Sequence, residues 1–282
     1  MRPFDYVEPE TLDEALALVA EDPEDSLVMA GGTSLVILMK QDLIRPARVI
    51  GLRKLSQLRA IDAADGLRLG ALATHGALAR SAAVRTHAAA LARTFAAVAT
   101  VRIREQATLG GNLAHADPAQ DPPVTLLAMD ATAVAMSKAR ARRIPLEAFF
   151  VDVFETSLEP DELVLRVEVP ALPAGARATF HKFLPTTRDD YATVAVAAVV
   201  ATDADGMCTH ARLALGGAGP VPLRAREAER SLLGRRLDDG AIREAADLAA
   251  AATDPIADLR GSAAYKRAMA GVWTARALRE VA

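Results

Sequence analysis

Two short segments of this chain combine adjacent glycines with hydroxyl, amide and carboxylate side chains. The longer runs from Thr108 to Asp121 and reads TLGGNLAHADPAQD, and the shorter, AGGTSL, occupies residues 30–35. Gly and Asn tolerate positive φ and Pro lacks a backbone donor, so the longer segment is poor material for a helix or a central strand. We therefore predict two loops whose backbone N–H groups approach a ligand closely. Two such loops suggest two walls of one site for an anionic ligand.

Neither segment matches a standard nucleotide-binding fingerprint. The sequence has no Gly-x-Gly-x-x-Gly and no Gly-Lys-Ser/Thr, so neither the Rossmann nor the P-loop interpretation gains support. Two simpler interpretations stay open. Gly31-Gly32 serves equally well as a strand-exit turn, although the hydroxyls of Thr33 and Ser34 could add donors to a phosphate cradle. Asp121 serves equally well as a cap for a helix that begins at Pro122 or Pro123.

The composition excludes several classes of function. The chain has 282 residues, half of them apolar, and a net charge of −3 with scattered basic residues, which is no electrostatic footprint for nucleic acid. A single cysteine, Cys208, excludes an internal disulfide and an iron–sulfur cluster held by four thiolates of this chain. The five histidines lack metal-ligand spacing. No apolar run has the length of a membrane span and no signal-peptide pattern opens the chain, so we expect a cytoplasmic protein.

The hydrophobic periodicity predicts a small α/β unit at residues 1–60, a second unit from near Ile61 and an α+β C-terminal domain. Thr11 and Glu14 form a capping box for a helix that ends at Asp22. A hairpin is expected across Ser137 and Lys138, and Leu172 to Gly175 is the best boundary between domains. The remaining predicted elements are strands near 26–30, 48–52, 66–71 and 163–169, helices near 74–80 and 88–100, a brief helix at 146–150, strands at 178–184, 193–203 and 208–216, and helices at 225–233, 239–252 and 263–281.

The two glycine segments, in this order and at this separation, resemble those of the FAD-binding subunit of the molybdenum hydroxylases. That family includes the medium subunit of aerobic carbon monoxide dehydrogenase and the flavin domain of xanthine dehydrogenase. The second segment is the more specific match, because it continues through Ala116-Asp-Pro118 to Asp121. Phe180-His-Lys-Phe183, Asp190-Tyr191, Leu259-Arg-Gly-Ser262 and Tyr265-Lys-Arg267 are also similar to family sequences. The resemblance covers nearly the whole chain.

The resemblance implies a fold and a site. The expected fold class is α+β, with an N-terminal FAD-binding domain of the vanillyl-alcohol-oxidase (PCMH) type at 1–175, in two α/β subdomains of about 1–60 and 61–175. A smaller α+β C-terminal domain at 176–282 would have three strands and then helices. FAD would lie between the N-terminal subdomains. The residues implied to contact it are Val28, Met29, Ala30, Gly31, Gly32, Thr33, Ser34, Leu35, Val98, Thr108, Leu109, Gly110, Gly111, Asn112, Asp121, Val164, Leu165, Lys182 and Tyr191.

The resemblance also implies roles for several side chains. Asp121 would accept hydrogen bonds from cofactor hydroxyls, Val164 or Leu165 and Lys182 would contact the flavin end, and Tyr191 would lie near the isoalloxazine as an access gate. Each has a simpler alternative: a helix cap for Asp121, a solvated charge for Lys182 and ordinary packing for Tyr191. His115 is expected to be a structural donor and not a catalytic acid or base. Lys266 and Arg267 are expected on the polar face of the last helix.

The family's chemistry implies a division of labour between polypeptides. Because the glycine motif has Thr33 and Ser34 where covalent flavoproteins of this fold have His or Cys, FAD is expected to be non-covalent. The [2Fe-2S] clusters and the molybdenum cofactor would be held by partners, an iron–sulfur small subunit and a molybdenum large subunit, in a dimer of heterotrimers. This chain would pass electrons from the clusters to NAD⁺, a quinone or dioxygen, with no catalytic side chain. The alternatives are a self-sufficient FAD oxidoreductase of the same fold and a flavin-free assembly or binding protein.

Overall fold

The computed structural model describes residues 3–185, 187 and 190–282. Three principal β-sheets follow one another along this part of the chain. The first sheet is parallel, with strand order β1-β3-β2. Its strands and helices are β1 (Asp5–Val7), α1 (Leu12–Glu21), β2 (Ser26–Met29), α2 (Leu35–Lys40) and β3 (Arg48–Gly51). The predicted cap of α1 is confirmed, since Thr11 Oγ1 accepts the N–H of Glu14 at 3.1 Å. The Glu14 carboxylate, however, accepts the N–H of Glu10 and not that of Thr11.

The second sheet has five strands in the order β4-β5-β10-β6-β7, and every neighbouring pair is antiparallel. A short 3-10 helix at Ser56–Arg59 leads into it, and a second, at Leu146–Ala148, stands where a brief helix was predicted. Because its strands are antiparallel, this unit is α+β and not the α/β unit expected. Its strands, with those of a small separate hairpin, are β4 (Ile61–Ala64), β5 (Gly66–Gly70), β6 (Thr132–Met136), β7 (Ala141–Pro145), β8 (Phe150–Asp152), β9 (Glu155–Thr156) and β10 (Leu163–Pro170).

Six helices lie between β5 and β6 and cover this sheet. They are α3 (His75–Arg80), α4 (Ala82–His87), α5 (Ala89–Ala97), α6 (Val101–Gln106), α7 (Leu109–His115) and α8 (Asp121–Ala128). The helix predicted near 88–100 therefore ends three residues early, where Val98 is extended and Ala99 has φ 36°. The prediction of a loop from Thr108 to Asp121 is wrong, because α7 and the first residue of α8 lie within it.

A threonine cap and the burial of two leucines within the same chain explain why α7 forms despite its glycines. Thr108 is extended and caps the helix, with its Oγ1 accepting the N–H of Gly111 at 3.2 Å. Leu109 and Leu113 are fully buried. The helix ends at Ala116, which has φ 52°. Burial of two leucines on one face and a threonine cap outweigh the unfavourable helix propensity of two glycines, which is on the order of 1 kcal/mol each.

The third sheet and three helices form the last part of the chain. The sheet is antiparallel, in the order β11-β12-β13-β14, so it adds a short fourth strand to the three predicted. The elements are β11 (Arg177–Phe183), β12 (Val194–Thr202), β13 (Cys208–Gly216), β14 (Leu223–Arg224), α9 (Arg226–Leu232), α10 (Asp239–Ala251) and α11 (Ala263–Val281). The three predicted helices are confirmed within one residue at each end.

Strand β12 is buried on both faces and joins two hydrophobic cores. Ala195, Ala197 and Val199 pack into the core that also contains α5 and α8. The alternate residues, among them Val194 and Val196, pack into the core formed with α9, α10 and α11. Successive side chains of a strand point to opposite faces, so one strand serves both cores. The third sheet is thereby fixed against the helix that begins at Asp121.

The expected polar role of Lys266 is wrong. Its side chain is buried, its Nζ donates to the carbonyl of Ile256 at 2.9 Å, and it forms an ion pair with Asp258 at 2.9 Å. Arg267 donates to the carbonyl of Thr253 at 3.3 Å. Both cations therefore anchor the segment that precedes α11. Across the described ranges, no helix is both long and apolar enough to cross a membrane.

Candidate cofactor site

A cavity of about 500 Å³ lies between the first and second sheets, and both glycine segments line it. That volume is within the range of sites that enclose a cofactor. Of the residues predicted from the sequence, those that line it are Val28, Met29, Ala30, Gly31, Gly32, Thr33, Ser34, Leu35, Thr108, Gly110, Gly111, Asn112 and Val164. A second cavity of about 200 Å³ adjoins the first and shares Ala30, Gly31, Leu72 and Thr108 with it.

The first glycine segment offers a row of free backbone donors. Across the described residues, the N–H groups of Gly31 to Leu35 form no hydrogen bond with the protein. The carbonyls of Gly32 and Ser34 are used to start α2, accepting from Val36 and Leu38. Gly32 has φ +70°, in the left-handed region, a conformation found where successive backbone N–H groups form an anion-binding concavity. This segment is therefore built to hold an anion.

The second glycine segment has the same composition but uses its donors internally. The N–H groups of Leu109 and Gly110 donate to the carbonyls of Ala73 and Ala71 at 3.0 and 2.8 Å. Those of Gly111 and Asn112 donate to the hydroxyl and the carbonyl of Thr108. The N–H groups of Leu109 to Asn112 therefore have partners within the protein, and binding of the ligand by this segment stays a prediction. The segment forms a packed wall of the cavity.

Gly31, Gly110 and Gly111 do not have a positive φ, and the space around them explains why they are glycines. A Cβ on Gly31 would lie 2.1 Å from the carbonyl oxygen of Gln106, and one on Gly110 would lie 2.6 Å from Cβ of Ala71. A Cβ on Gly111 would lie 2.9 Å from Thr108 Oγ1 and 3.6 Å from Cβ of Ala30. These glycines therefore allow the two segments and their supports to approach one another closely, which sets the width of the cavity.

Asp121 and Lys182 form a buried ion pair close to the cavity. Lys182 Nζ lies 2.7 Å from Asp121 Oδ2 and donates to the carbonyl of Ala97 at 3.1 Å. Burial raises the pKa of Asp121 to about 6, and the Lys182 ammonium opposes that rise. The alternatives of a solvated lysine and a helix-capping aspartate are both wrong, since the side chain of Lys182 is only 7% exposed and no side-chain cap is present at the start of α8.

Three buried carbonyl or carboxylate oxygens at or beside the cavity have no hydrogen-bond partner within the described part of the chain. They are Oδ1 of Asp121, Oδ1 of Asn112 and Oε1 of Gln120. Asn112 and Gln120 line the cavity, and Asp121 follows Gln120 directly. Buried polar atoms normally have partners, so unsatisfied acceptors beside a cavity indicate a ligand that brings donors. FAD fits this arrangement, because its diphosphate matches the free N–H groups and its hydroxyls match the free acceptors.

Several predicted residues lie outside the cavity lining. Leu109 and Leu165 pack into hydrophobic clusters, and Val98 ends α5 with its carbonyl accepting from Arg104. Tyr191 is 40% exposed, with the guanidinium of Arg260 5.4 Å from its ring centroid. Burial, together with the negative charge of Asp117, raises the pKa of Tyr191 to about 12.

Sequence reasoning missed part of the cavity wall. Most of the missed residues are apolar, and their pattern was visible only as hydrophobic runs in strands and helices. They are Leu27, Leu38, Ile44, Leu52, Ala71, Leu72, Ala107, Ala114, Phe154, Leu158 and Leu163, with the polar Gln120 and Glu162. Gln120 and His115, which also lines the cavity, lie within the second motif, so proximity in sequence was the available signal for them.

Comparisons with known proteins identify the family. Residues 2–172 match the family described as FAD binding domain in molybdopterin dehydrogenase, and residues 179–281 match the CO dehydrogenase flavoprotein C-terminal domain. The 6-hydroxypseudooxynicotine dehydrogenase complex subunit alpha of Paenarthrobacter nicotinovorans is 37% identical over 93% of this chain and 89% of its own length.

Solved structures agree with the sequence comparison. Carbon monoxide dehydrogenase from Hydrogenophaga pseudoflava lacking the Mo-pyranopterin moiety superposes with a TM-score of 0.95 at 34% identity, covering 100% of this chain and 98% of that chain. Quinoline 2-oxidoreductase from Pseudomonas putida 86 gives a TM-score of 0.93 at 32% identity, covering 99% and 97%. The chain therefore belongs to the family of FAD-binding medium subunits of the carbon monoxide dehydrogenase and xanthine dehydrogenase type.

Proposed function

We propose that this chain holds FAD non-covalently in the 500 Å³ cavity and relays electrons within a heteromeric molybdenum hydroxylase. The observation that carries the proposal is the row of free N–H groups from Gly31 to Leu35 beside unsatisfied acceptors. The diphosphate would lie on the first glycine segment. Thr33 and Ser34 offer hydroxyls there and no nucleophile of the kind that forms a flavin–protein bond, which supports release of the flavin on denaturation.

The remaining site residues are proposed to orient the cofactor. Asp121 would accept hydrogen bonds from its hydroxyls through the free Oδ1, while Lys182 holds the other oxygen in place. Val164 lines the cavity and would contact a ring of the cofactor. Val98, Leu165 and Tyr191 are retained as proposed contacts of the flavin end, supported by family position and, for Tyr191, by the influence of the Asp117 charge of the second motif on its hydroxyl.

The chain's own residues bind, orient and shield, while the bound flavin supplies the capacity to take up and release electrons. Apolar side chains from the first sheet and from β10, among them Leu27, Leu52 and Leu163, would exclude water from one end of the cavity. No arrangement of nucleophile, histidine and carboxylate is needed, since the substrate would be oxidised on another polypeptide.

The proposed partners are an iron–sulfur subunit and a molybdenum-cofactor subunit, assembled as a dimer of heterotrimers. Relatives that this chain matches over most of their length are themselves named as subunits or medium chains, which supports an assembly over the self-sufficient oxidoreductase and over a flavin-free protein. A cytoplasmic location is proposed on the low cysteine count. Domain limits at 175 and, within the first domain, near 60 are also proposed, supported by the succession of the three sheets.

The decisive experiment is purification of the chain from its native host with whatever it assembles with. We expect three co-purifying polypeptides, a visible spectrum with the bands of an oxidised flavin, and free FAD in the supernatant after acid denaturation. Flavin that stays attached to the precipitated polypeptide would contradict non-covalent binding. A colourless protein that purifies alone would contradict the proposed function.

A further inference from the structure

Phe154 presents an aromatic ring at the cavity instead of burying it. It stands in the two-residue turn between β8 and β9, lines the cavity, and is 58% exposed. The neighbouring aromatic residues of the same hairpin, Phe149 and Phe150, are buried in the core. Because the exposed ring borders the cavity, a ligand bound there would cover it and remove its apolar surface from water.

The backbone at Phe154 is held in a conformation that a bulky side chain disfavours. Its φ is +59°, in the left-handed region where glycine or asparagine is usual. Its N–H donates to the carbonyl of Ala116 at 3.1 Å, and Ala116 itself has φ 52° at the end of α7. Strained residues of this kind concentrate at ligand clamps, where the surrounding structure holds them. A turn that only reversed the chain would not require phenylalanine at this position.

The imidazole of His115 packs against the ring of Phe154 in a tilted arrangement. The two ring centroids are 5.1 Å apart with planes inclined by 40°, and His115 also lines the cavity. Burial lowers the pKa of His115, so the imidazole is neutral at pH 7. The imidazole makes no hydrogen bond with any residue that the structure describes, so it is not acting as the structural donor expected from the sequence.

We propose that Phe154 and His115 form an aromatic contact for one of the two flat ring systems of FAD, the adenine or the isoalloxazine. This inference rests on the proposed function, because it assigns residues within the same cavity. Offset or tilted stacking against an aromatic side chain stabilises a flat ring without hydrogen bonds. Phe154 would thus be a binding residue, and His115 would both contact the ring and hold Phe154 in place.

The test uses the assembled complex after removal of its flavin and measures the dissociation constant for added FAD. Phe154→Ala should weaken FAD binding by roughly 5- to 100-fold, the effect of losing one stacked ring. Val151→Ala is the matched control, since Val151 is 56% exposed on the same hairpin and does not line the cavity. The control should bind FAD as the wild type does, and Phe154→Trp should retain most of the affinity.

Phe154→Gly separates binding from folding. Glycine accepts φ +59°, so this variant should have a Tm equal to or above that of the wild type while still losing FAD affinity. FMN and ADP identify the ring: loss of affinity for ADP but not FMN assigns the adenine, and the reverse assigns the isoalloxazine. Either pattern supports the proposal.

Other outcomes overturn it. Unchanged FAD affinity in Phe154→Ala and Phe154→Gly would remove the aromatic contact while leaving the proposed function intact. Loss of partner subunits with normal flavin affinity would assign the ring to a protein interface and contradict the proposal. A wild-type complex that holds no flavin would overturn the proposed function and this inference together.

Discussion

The two glycine segments have nearly the same composition and opposite uses of their backbone. In residues 30–35 the N–H groups after Gly31 are free and Gly32 has a positive φ, so the segment can surround an anion. In residues 108–112 each N–H after Thr108 is bonded within the protein, and the glycines permit close packing. A Gly-Gly pair therefore does not by itself identify an anion site. The relevant question is where each backbone donor finds its partner.

The largest expected effect on folding comes from the second segment. In Gly110→Ala the new Cβ would meet Cβ of Ala71 at 2.6 Å, so α7 must move away from β5 and its neighbours. We expect the free energy of unfolding to fall by about 1–3 kcal/mol, as for other overpacked cores. Thermal unfolding of the purified chain measures it. An unchanged Tm would show that the second segment is not a packing element.

In the first segment, the main expected effect of a substitution is on FAD affinity. Gly32→Val forces a β-branched residue into φ +70°, so the backbone must shift and the N–H groups diverge. FAD affinity of the assembled complex should fall by roughly 10- to 100-fold, since hydrogen bonds to a charged group are lost.

A matched control for this variant exists at Gly234. It has φ +71° and nothing within 4 Å of an added Cβ, and it lies outside the cavity lining. Gly234→Val imposes the same backbone strain as Gly32→Val, so the two variants should lower Tm by similar amounts. Gly234→Val should leave FAD affinity unchanged. If both variants lose flavin equally, the loss reflects general instability and not the first segment.

A pH dependence should arise from Asp121. Its pKa of about 6 in the empty site lies above the unfolded value of 3.8, so ionised Asp121 lowers the stability of the flavin-free protein as pH rises through 6. Hydroxyl donors on Oδ1 favour the carboxylate, so FAD affinity should decrease as pH falls below about 6. Titrations of the deflavinated complex with FAD between pH 5 and 8 measure this. Asp121→Asn should give a flat profile, and a wild-type profile that is already flat would contradict the role of Asp121.

The smallest expected effect is the loss of the cap of α7. Thr108→Ala removes the hydroxyl that accepts the N–H of Gly111, which should cost about 1 kcal/mol of stability. The other N–H groups of α7 keep their partners within the protein, so FAD affinity should change little. Ser34→Ala is the counterpart in the first segment, and it should lower FAD affinity with no change in Tm. A reversal of these two patterns would reverse the roles assigned to the segments.

Local sequence predicted the elements well and the contacts between them poorly. Caps and periodicity anticipated α1, the β6–β7 hairpin, the strands of the third sheet and the helices that follow, because these signals lie within a few residues. The segment from Thr108 was expected to be a loop because its glycines were judged by propensity alone. Its helix depends on contacts of Leu109, Gly110 and Leu113 with distant parts of the chain.

In the site as well, local features could be predicted from the sequence and contacts between distant residues could not. The glycine positions were visible in the sequence, together with their family resemblance, and most of them line the cavity. The state of Lys182 was not visible, since its burial depends on Asp121, which is 61 residues away. Phe154 reaches the cavity through the β8–β9 hairpin, and Glu162 through the loop that leads into β10; a single sequence gives no signal for either path.

The burial of β12 on both faces limits how far this chain can be divided. One family match ends at residue 172 and the next begins at residue 179, which suggests that the chain could be expressed as two separate fragments. A fragment ending at 175 would leave the apolar surface of α8 uncovered, and it would leave Asp121 buried without its counter-ion Lys182. The other fragment would expose Ala195, Ala197 and Val199 to water. The two halves are therefore expected to unfold in a single calorimetric transition and to aggregate when produced apart.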